Sequence, residues 1–159
     1  MPVQESCNGL DDDCNGICDD GAGCRLAIHR SYQPQTGEHF YSGDLNEVQC
    51  CGFVLEFAPY FYLYATQLAG TDPFYRCLLP SAGMHLLTKD SNCEGAGVLE
   101  GNMGFIAAAP GLCGGDAPLW RLAHPNGDHL FTTSIAEHDQ MLQVGYIEEG
   151  IVGYVWGGP

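Results

Sequence analysis

Nine side chains able to bind, pair or exchange protons stand in three matching sets: Arg30, His39 and Glu56; Arg76, His85 and Glu100; Arg121, His129 and Glu149. A proline and a glycine lie between each arginine and its histidine: Pro34 and Gly37, Pro80 and Gly83, Pro125 and Gly127. Successive arginines are about 45 residues apart, the spacing of an internal repeat. Two chemistries suit such sets. One is three equivalent ligand sites, each with a histidine beside an aromatic ring on which a sugar could stack. The other is a frame, in which each buried arginine takes a bidentate carboxylate partner and the histidine helps to fix strand register. The regularity favours the frame, because structural residues must recur in every copy and ligand residues need not. A zinc site of three histidines on a common axis is disfavoured, since each histidine belongs to a separate unit.

The second chemical feature precedes these sets. Six acids, Glu5, Asp11, Asp12, Asp13, Asp19 and Asp20, stand before the first base, Arg25. Charge of one sign at this density repels itself unless a cation neutralises it. Asp11, Asp13, Asn15 and Gly16 match positions 1, 3, 5 and 6 of a calcium loop, where alternate oxygens face one side and glycine allows a sharp turn. Ile17 would offer its backbone carbonyl, and Asp19 or Asp20 would close the shell. Ala22 replaces the usual twelfth-position glutamate and no helices flank the loop, so it is no EF-hand. The expected ion is Ca2+.

If the repeated residues are frame, ligand contacts belong where the copies differ. Tyr60, Tyr62 and Tyr64 share one strand, whose alternation turns some of them outward. Trp120 occupies the slot of His29 and Tyr75, and Trp156 stands near the chain end. With His129 these form the candidate ligand set. No catalytic motif of the G-x-S-x-G, P-loop or H-E-x-x-H kind is present. The acid pairs Asp19-Asp20 and Glu148-Glu149 are adjacent, and neighbours on a strand point to opposite faces, so neither pair can flank one bond. The chain is read as a non-enzyme.

The elements that position these residues follow from turn and cap signals. Each arginine lies on a short apolar stretch, and each Pro-x-x-Gly is turn chemistry. The strands His39-Phe40-Tyr41, His85-Leu86-Leu87 and His129-Leu130-Phe131 follow. Ser134 to Glu137 reads as a capping box opening a helix with Ile135, Met141 and Leu142 on its apolar face and Gly145 as its stop. Asp44 to Glu47 opens a shorter helix stopped at Gly52, and Ser91 to Glu94 leaves only a stub. Closing strands carry Glu56, Glu100 and Glu149. One such unit cannot bury its own apolar face, and three point to a closed threefold barrel, an all-β trefoil with short helical inserts. The expected division is an acidic cysteine-rich segment over residues 1–25 and a three-repeat domain over 26–159, with units at about 26–70, 71–115 and 116–159.

Composition narrows the class. In 159 residues, 20 acids face 5 Lys+Arg for a net charge of −15, which argues against nucleic acid and anionic membrane surfaces. No apolar run is long enough to insert in a bilayer. Nine cysteines without paired zinc knuckles suggest disulfides in a secreted chain. Cys77 with Cys93 is the expected pair inside the second unit. Cys24 and Cys113 could staple unit boundaries, and the adjacent Cys50 and Cys51 are expected to take different partners. The odd count leaves a thiol free or paired outside the chain.

Two resemblances add to this reading. Cys7-Asn-Gly-Leu-Asp-Asp-Asp-Cys-Asn-Gly16 is similar to a metal-binding motif of exported bacterial proteins, which implies a bound cation. The repeat resembles a family of uncharacterised bacterial extracellular domains with the pattern Arg-x-Tyr-x-Pro-x-x-Gly-x-His-Phe-Tyr-Thr-Thr, a helix, then Gly-Tyr-x-x-Glu-Gly. The third unit matches it best, through Pro125, Gly127, His129, Thr132, Thr133, Gly145-Tyr146 and Glu149-Gly150. The resemblance covers about 130 residues and implies targeting rather than chemistry. The expected function is therefore a secreted or cell-surface module, part of a larger exported chain, that binds a glycan or another cell-envelope component. The alternative is a structural or adhesive domain that contacts a host or prey surface protein, and a hydrolase comes third.

Overall fold

The computed structural model describes residues 3–157, so positions 1, 2, 158 and 159 of the expected segments lie outside the described residues. Strands dominate, and they fall into three groups. The first holds β1 (Arg25–Gln33), β2 (Glu38–Ser42), α1 (Leu45–Gln49) and β3 (Val54–Tyr64). The second holds β4 (Thr71–Leu79), β5 (Met84–Thr88) and β6 (Val98–Ala107), with a 3-10 turn at Cys93–Gly95 in place of a helix. The third holds β7 (Ala117–Ala123), β8 (His129–Thr132), α2 (Ile135–Gln143) and β9 (Ile147–Gly157).

In each group the first strand pairs antiparallel with the other two. Arg30 lies opposite Tyr41 and Phe57, Arg76 opposite Leu87 and Gly101, and Arg121 opposite Phe131 and Gly150. The turn glycines Gly37, Gly83 and Gly127 have φ of 82°, 66° and 105°, the left-handed region that glycine enters without a steric penalty. At Gly127 space is a second constraint: a Cβ there would stand 2.5 Å from Ala82 Cβ in the neighbouring turn.

A closed barrel is not what forms. The nine strands make one antiparallel sheet in which β3, β6 and β9 touch one another through one or two residue pairs only: Tyr64 with Phe105, Ala107 with Tyr154, and Phe61 with Gly157 beside Tyr62 with Trp156. What unites the groups is a shared core. Ile28, Phe74 and Leu119 from the first strands meet Tyr41, Leu87 and Phe131 from the second and Leu63, Ile106 and Val155 from the closing ones. All nine are buried, and each such side chain contributes about 1.5–3 kcal/mol by leaving water. The one polar atom among these side chains is satisfied: the Tyr41 hydroxyl accepts from the Phe131 N–H at 2.7 Å and donates to the Phe131 carbonyl at 2.8 Å.

Both helices start at the expected caps. The Asp44 carboxylate accepts from the Asn46 N–H, and the Ser134 hydroxyl accepts from the Glu137 N–H. The reciprocal half of the capping box is not made, because the Glu137 carboxylate turns to Arg30 instead. The expected apolar face of α2 also needs correction. Ile135 and Leu142 are exposed, and the buried residue of the helix is His138, whose ring packs on Trp120 with centroids 4.7 Å apart.

The acidic segment has no strand or helix among the described residues before Arg25. It is tied by Cys7–Cys24 and, across 95 positions, by Cys18–Cys113. Cys77 pairs with Cys93 as expected. Cys50 and Cys51 pair with each other rather than with different partners; with the other pairs made, only the exposed thiol of Cys14 remains.

Candidate functional site

The three arginines and their closing-strand glutamates form three matching clusters, each with one further carboxylate. Each arginine brings Nε close to the glutamate of its own closing strand: Arg30 to Glu56 at 2.7 Å and Arg76 to Glu100 at 2.6 Å as hydrogen bonds, and Arg121 to Glu149 at 2.9 Å as an ion pair without hydrogen-bond alignment. Its other nitrogens reach the glutamate at the start of the helix or turn in a neighbouring group. Arg30 bonds Glu137 at 2.9 and 2.6 Å, Arg76 bonds Glu47 at 2.9 and 2.8 Å, and Arg121 bonds Glu94 at 2.6 and 3.4 Å. First group thus joins third, second joins first, and third joins second. Arg30 is 2% exposed and its guanidinium also lies over the Phe57 and Tyr60 rings, at 4.8 and 4.6 Å. Burial pushes the Glu137 carboxyl up, but the hydrogen bond and charge of Arg30 reverse this and hold it below the ordinary carboxylate range. The Arg76 hydrogen bond does the same for Glu47.

Glu47, Glu94 and Glu137 are the members that sequence reasoning missed as partners. Their signal was present: each stands at the same place in its helix or stub, where local capping offered a sufficient explanation.

The histidines form a second set of cross-group contacts. The residue before the histidine of one strand serves the histidine of another. Asp128 accepts from the His39 backbone N–H and bonds its Nδ1, both at 2.7 Å. Glu38 does the same for His85, at 2.9 and 2.6 Å. The corresponding residue for His129 is Met84, which offers no such oxygen, and His129 Nδ1 is buried with no hydrogen-bond partner among the described residues. The three histidines do not converge as metal ligands; among the described residues the one metal-compatible cluster is Glu5, Asp11 and Asp13.

In that cluster one oxygen from each residue lies within 4.8 Å of the others. Their oxygens also organise the loop: Asp11 accepts from the Asn15 and Gly16 N–H groups, Asp13 from Asn15, and Glu5 from Asp13 and Asp19. The other expected ligands have these surroundings. Asp19 is buried and accepts from the Asn8 and Gly9 N–H groups, Asp20 accepts from the Asn15 amide, and Ile17 is exposed. Glu5 was not among the expected ligands, because its distance in sequence hides its approach.

The aromatic candidates scatter. Tyr60 is buried, its hydroxyl bonded to Thr132 and Glu137. Tyr64 is buried and donates to the Leu112 carbonyl at 2.6 Å, and burial pushes its hydroxyl up to about 12. Trp156 packs on Tyr64 and on the Arg25 guanidinium, 4.4 Å from its centroid. Trp156 nevertheless lines, with Tyr62, Arg25 and Asp20, a cleft of about 610 Å3 between the acidic segment and the sheet. Trp120 lies against His138, and His129 lies near Glu149, at 3.8 Å.

A disulfide-stapled antiparallel β protein with a carboxylate–arginine network between its strand groups is the class these features define. The chain belongs to the family described as Domain of unknown function (DUF5648), whose model matches residues 27–156. No curated protein and no solved structure matches it. Four cysteine pairs fit an oxidising environment, and no helix of the described residues is long and apolar enough to cross a membrane.

Proposed function

We propose that the protein is an extracellular or cell-surface binding module that recognises a carbohydrate or another cell-envelope component. Its three strand groups are then copies of one trefoil-like repeat whose sheet stays open, and the N-terminal loop holds Ca2+ through Glu5, Asp11 and Asp13. The observation that carries the reading is the cleft lined by Asp20, Arg25, Tyr62 and Trp156. It combines the half-buried Tyr62 ring, which can stack on the apolar face of a sugar ring, with charged groups that bond hydroxyls, and Trp156, packed between Tyr64 and Arg25, backs it. The acidic loop forms one wall, so an ion there would hold the cleft in shape. A printed array of bacterial-envelope and host glycans, probed with the protein in calcium, tests it. Binding that falls on Tyr62→Ala is the expected result; no binding to any glycan removes the reading.

The second reading, an adhesive domain for a protein surface, is favoured by exposed apolar side chains in the third group. Ile135, Val144 and Ile147 are 56%, 59% and 64% exposed.

A further inference from the structure

The three histidine junctions are alike in design and unlike in what surrounds them. Between the second and first groups, His85 has both ring nitrogens near carboxylates, with Nε2 3.4 Å from Glu100. Its ring packs against Phe40, and Phe40 packs against Phe53. Aromatic rings thus cover the His85 ring. Between the third and second, Met84 leaves the His129 Nδ1 without a partner among the described residues. Between the first and third, a paired histidine borders open space. A cavity of about 310 Å3 is lined there by Tyr32, His39, Glu56, Met141, Val144 and Tyr146.

The cavity exists because α2 is nine residues long where α1 is five. The added turn carries Met141, and the chain beyond it supplies Val144 and Tyr146. Behind the cavity Asp128 is fully buried and saturated on one side. It takes the His39 N–H and Nδ1 at 2.7 Å and the Tyr146 hydroxyl at 2.6 Å. These contacts fix the tautomer: with Nδ1 donating to Asp128, a neutral His39 presents Nε2 as an acceptor. His39 Nε2 makes no hydrogen bond among the described residues. Burial and the Asp128 charge push the Tyr146 hydroxyl well above its ordinary range, so it remains a donor to Asp128.

We infer that this cavity is a binding subsite for a single sugar ring, with Tyr32 and Tyr146 as walls and His39 Nε2 and Glu56 as hydroxyl partners. Its volume stands at the low end for small-molecule pockets, about 300–1,000 Å3, which suits one ring and not a chain. Oriented imidazole and carboxylate acceptors beside aromatic and aliphatic walls match a molecule with hydroxyls on its rim and C–H groups on its face. The inference takes its ligand class from the binding-module reading above. Its place in the fold is independent of the Tyr62 and Trp156 cleft.

The test is an NMR titration of the full chain with N-acetylglucosamine, galactose and mannose. With one of these sugars the Val144 and Met141 methyl signals and the His39 ring signals should shift saturably. Val144→Trp should weaken that binding at least tenfold by filling the mouth. Val144 is exposed, so the substitution leaves the core alone, and an unchanged melting temperature checks this. Tyr32→Ala, which removes a wall rather than blocking the entrance, should weaken the same shifts. Tyr62→Ala should leave them intact. Glycan-array binding with no saturable shift at these nuclei overturns the cavity and leaves the module reading standing. So do shifts that survive Val144→Trp unchanged. Absence of both array binding and shifts overturns the two together.

Discussion

Glu137 accepts two hydrogen bonds from Arg30 across 107 positions of chain, at 2.9 and 2.6 Å. The pair closes the arginine network between the first and last strand groups. Its arginine is far more buried than the other two, 2% exposed against 14% for Arg76 and 15% for Arg121.

Glu137→Gln should therefore destabilise more than Glu47→Gln or Glu94→Gln. Breaking a buried ion pair from one side costs about 3–5 kcal/mol where the other charge is left uncompensated, and Arg30 keeps Glu56 as a partner. Glu137 is itself 20% exposed, so the lower end applies. At about 2–4 °C per kcal/mol for a chain of this size, the melting temperature should fall by roughly 10 °C. Equal losses in all three variants, measured by calorimetry, would refute the ranking by burial.

His129 should make the protein less stable on mild acidification. Burial lowers its pKa from 6.5, with Arg121 adding to this and Glu149 and Asp128 opposing it. As pH falls through 6.5 the unfolded chain takes up the proton before the folded one does, so folding loses ground. The loss stops growing once the folded histidine is also protonated. Met84→Glu supplies the oxygen that Glu38 and Asp128 give the other two histidines, and should raise the His129 pKa and flatten or invert this slope. Melting temperatures between pH 7.5 and 5, with Met84→Gln as the uncharged control, decide it; parallel curves for the two variants would count against the missing-partner explanation.

The double variant Cys18→Ser, Cys113→Ser should loosen the acidic segment. The bridge spans 95 positions, and bridges of this kind contribute about 2–4 kcal/mol. A protease that cuts after acidic residues should cleave between Asp11 and Asp20 in the variant and leave the parent intact. Equal resistance would mean that the Cys7–Cys24 bridge and the carboxylate-to-amide bonds hold the segment alone.

Calcium should bind the loop and raise the melting temperature, since anything that binds only the folded state stabilises it. Titration calorimetry should show heat that disappears in Asp13→Ala and in Glu5→Ala. Heat retained in Glu5→Ala alone would place the ion on the Asp11-to-Asp20 set that the loop spacing suggests.

How far the sequence could be read differs by feature. The Arg, Pro, Gly and His slots were legible because turn chemistry and period are local, and the strands around Arg30, Arg76 and Arg121 form where those signals place them. The second carboxylate of each arginine was not, because Glu137 and Glu47 each have a local role as helix-start acids that hides a distant one. Glu5 approaches Asp11 and Asp13 only once the loop has folded back. Alternation turns some of Tyr60, Tyr62 and Tyr64 outward without saying which, and the hydroxyls of Tyr60 and Tyr64 find partners inside, at Thr132 and the Leu112 carbonyl. The exposed Ile135 and Leu142 show the same limit in reverse: α2 is oriented by Glu137 and His138, which its hydrophobic pattern does not weigh.

The covalent chain joins the three strand groups in a line, whereas the arginine pairs join them in a ring. Arg30–Glu137 and His39–Asp128 are consequently the clasp of that ring, spanning the one junction with no peptide linker across it. The sugar-sized cavity lies at this clasp. A ligand held there would touch the first and last groups at once, so occupancy and the ring's resistance to opening would rise and fall together.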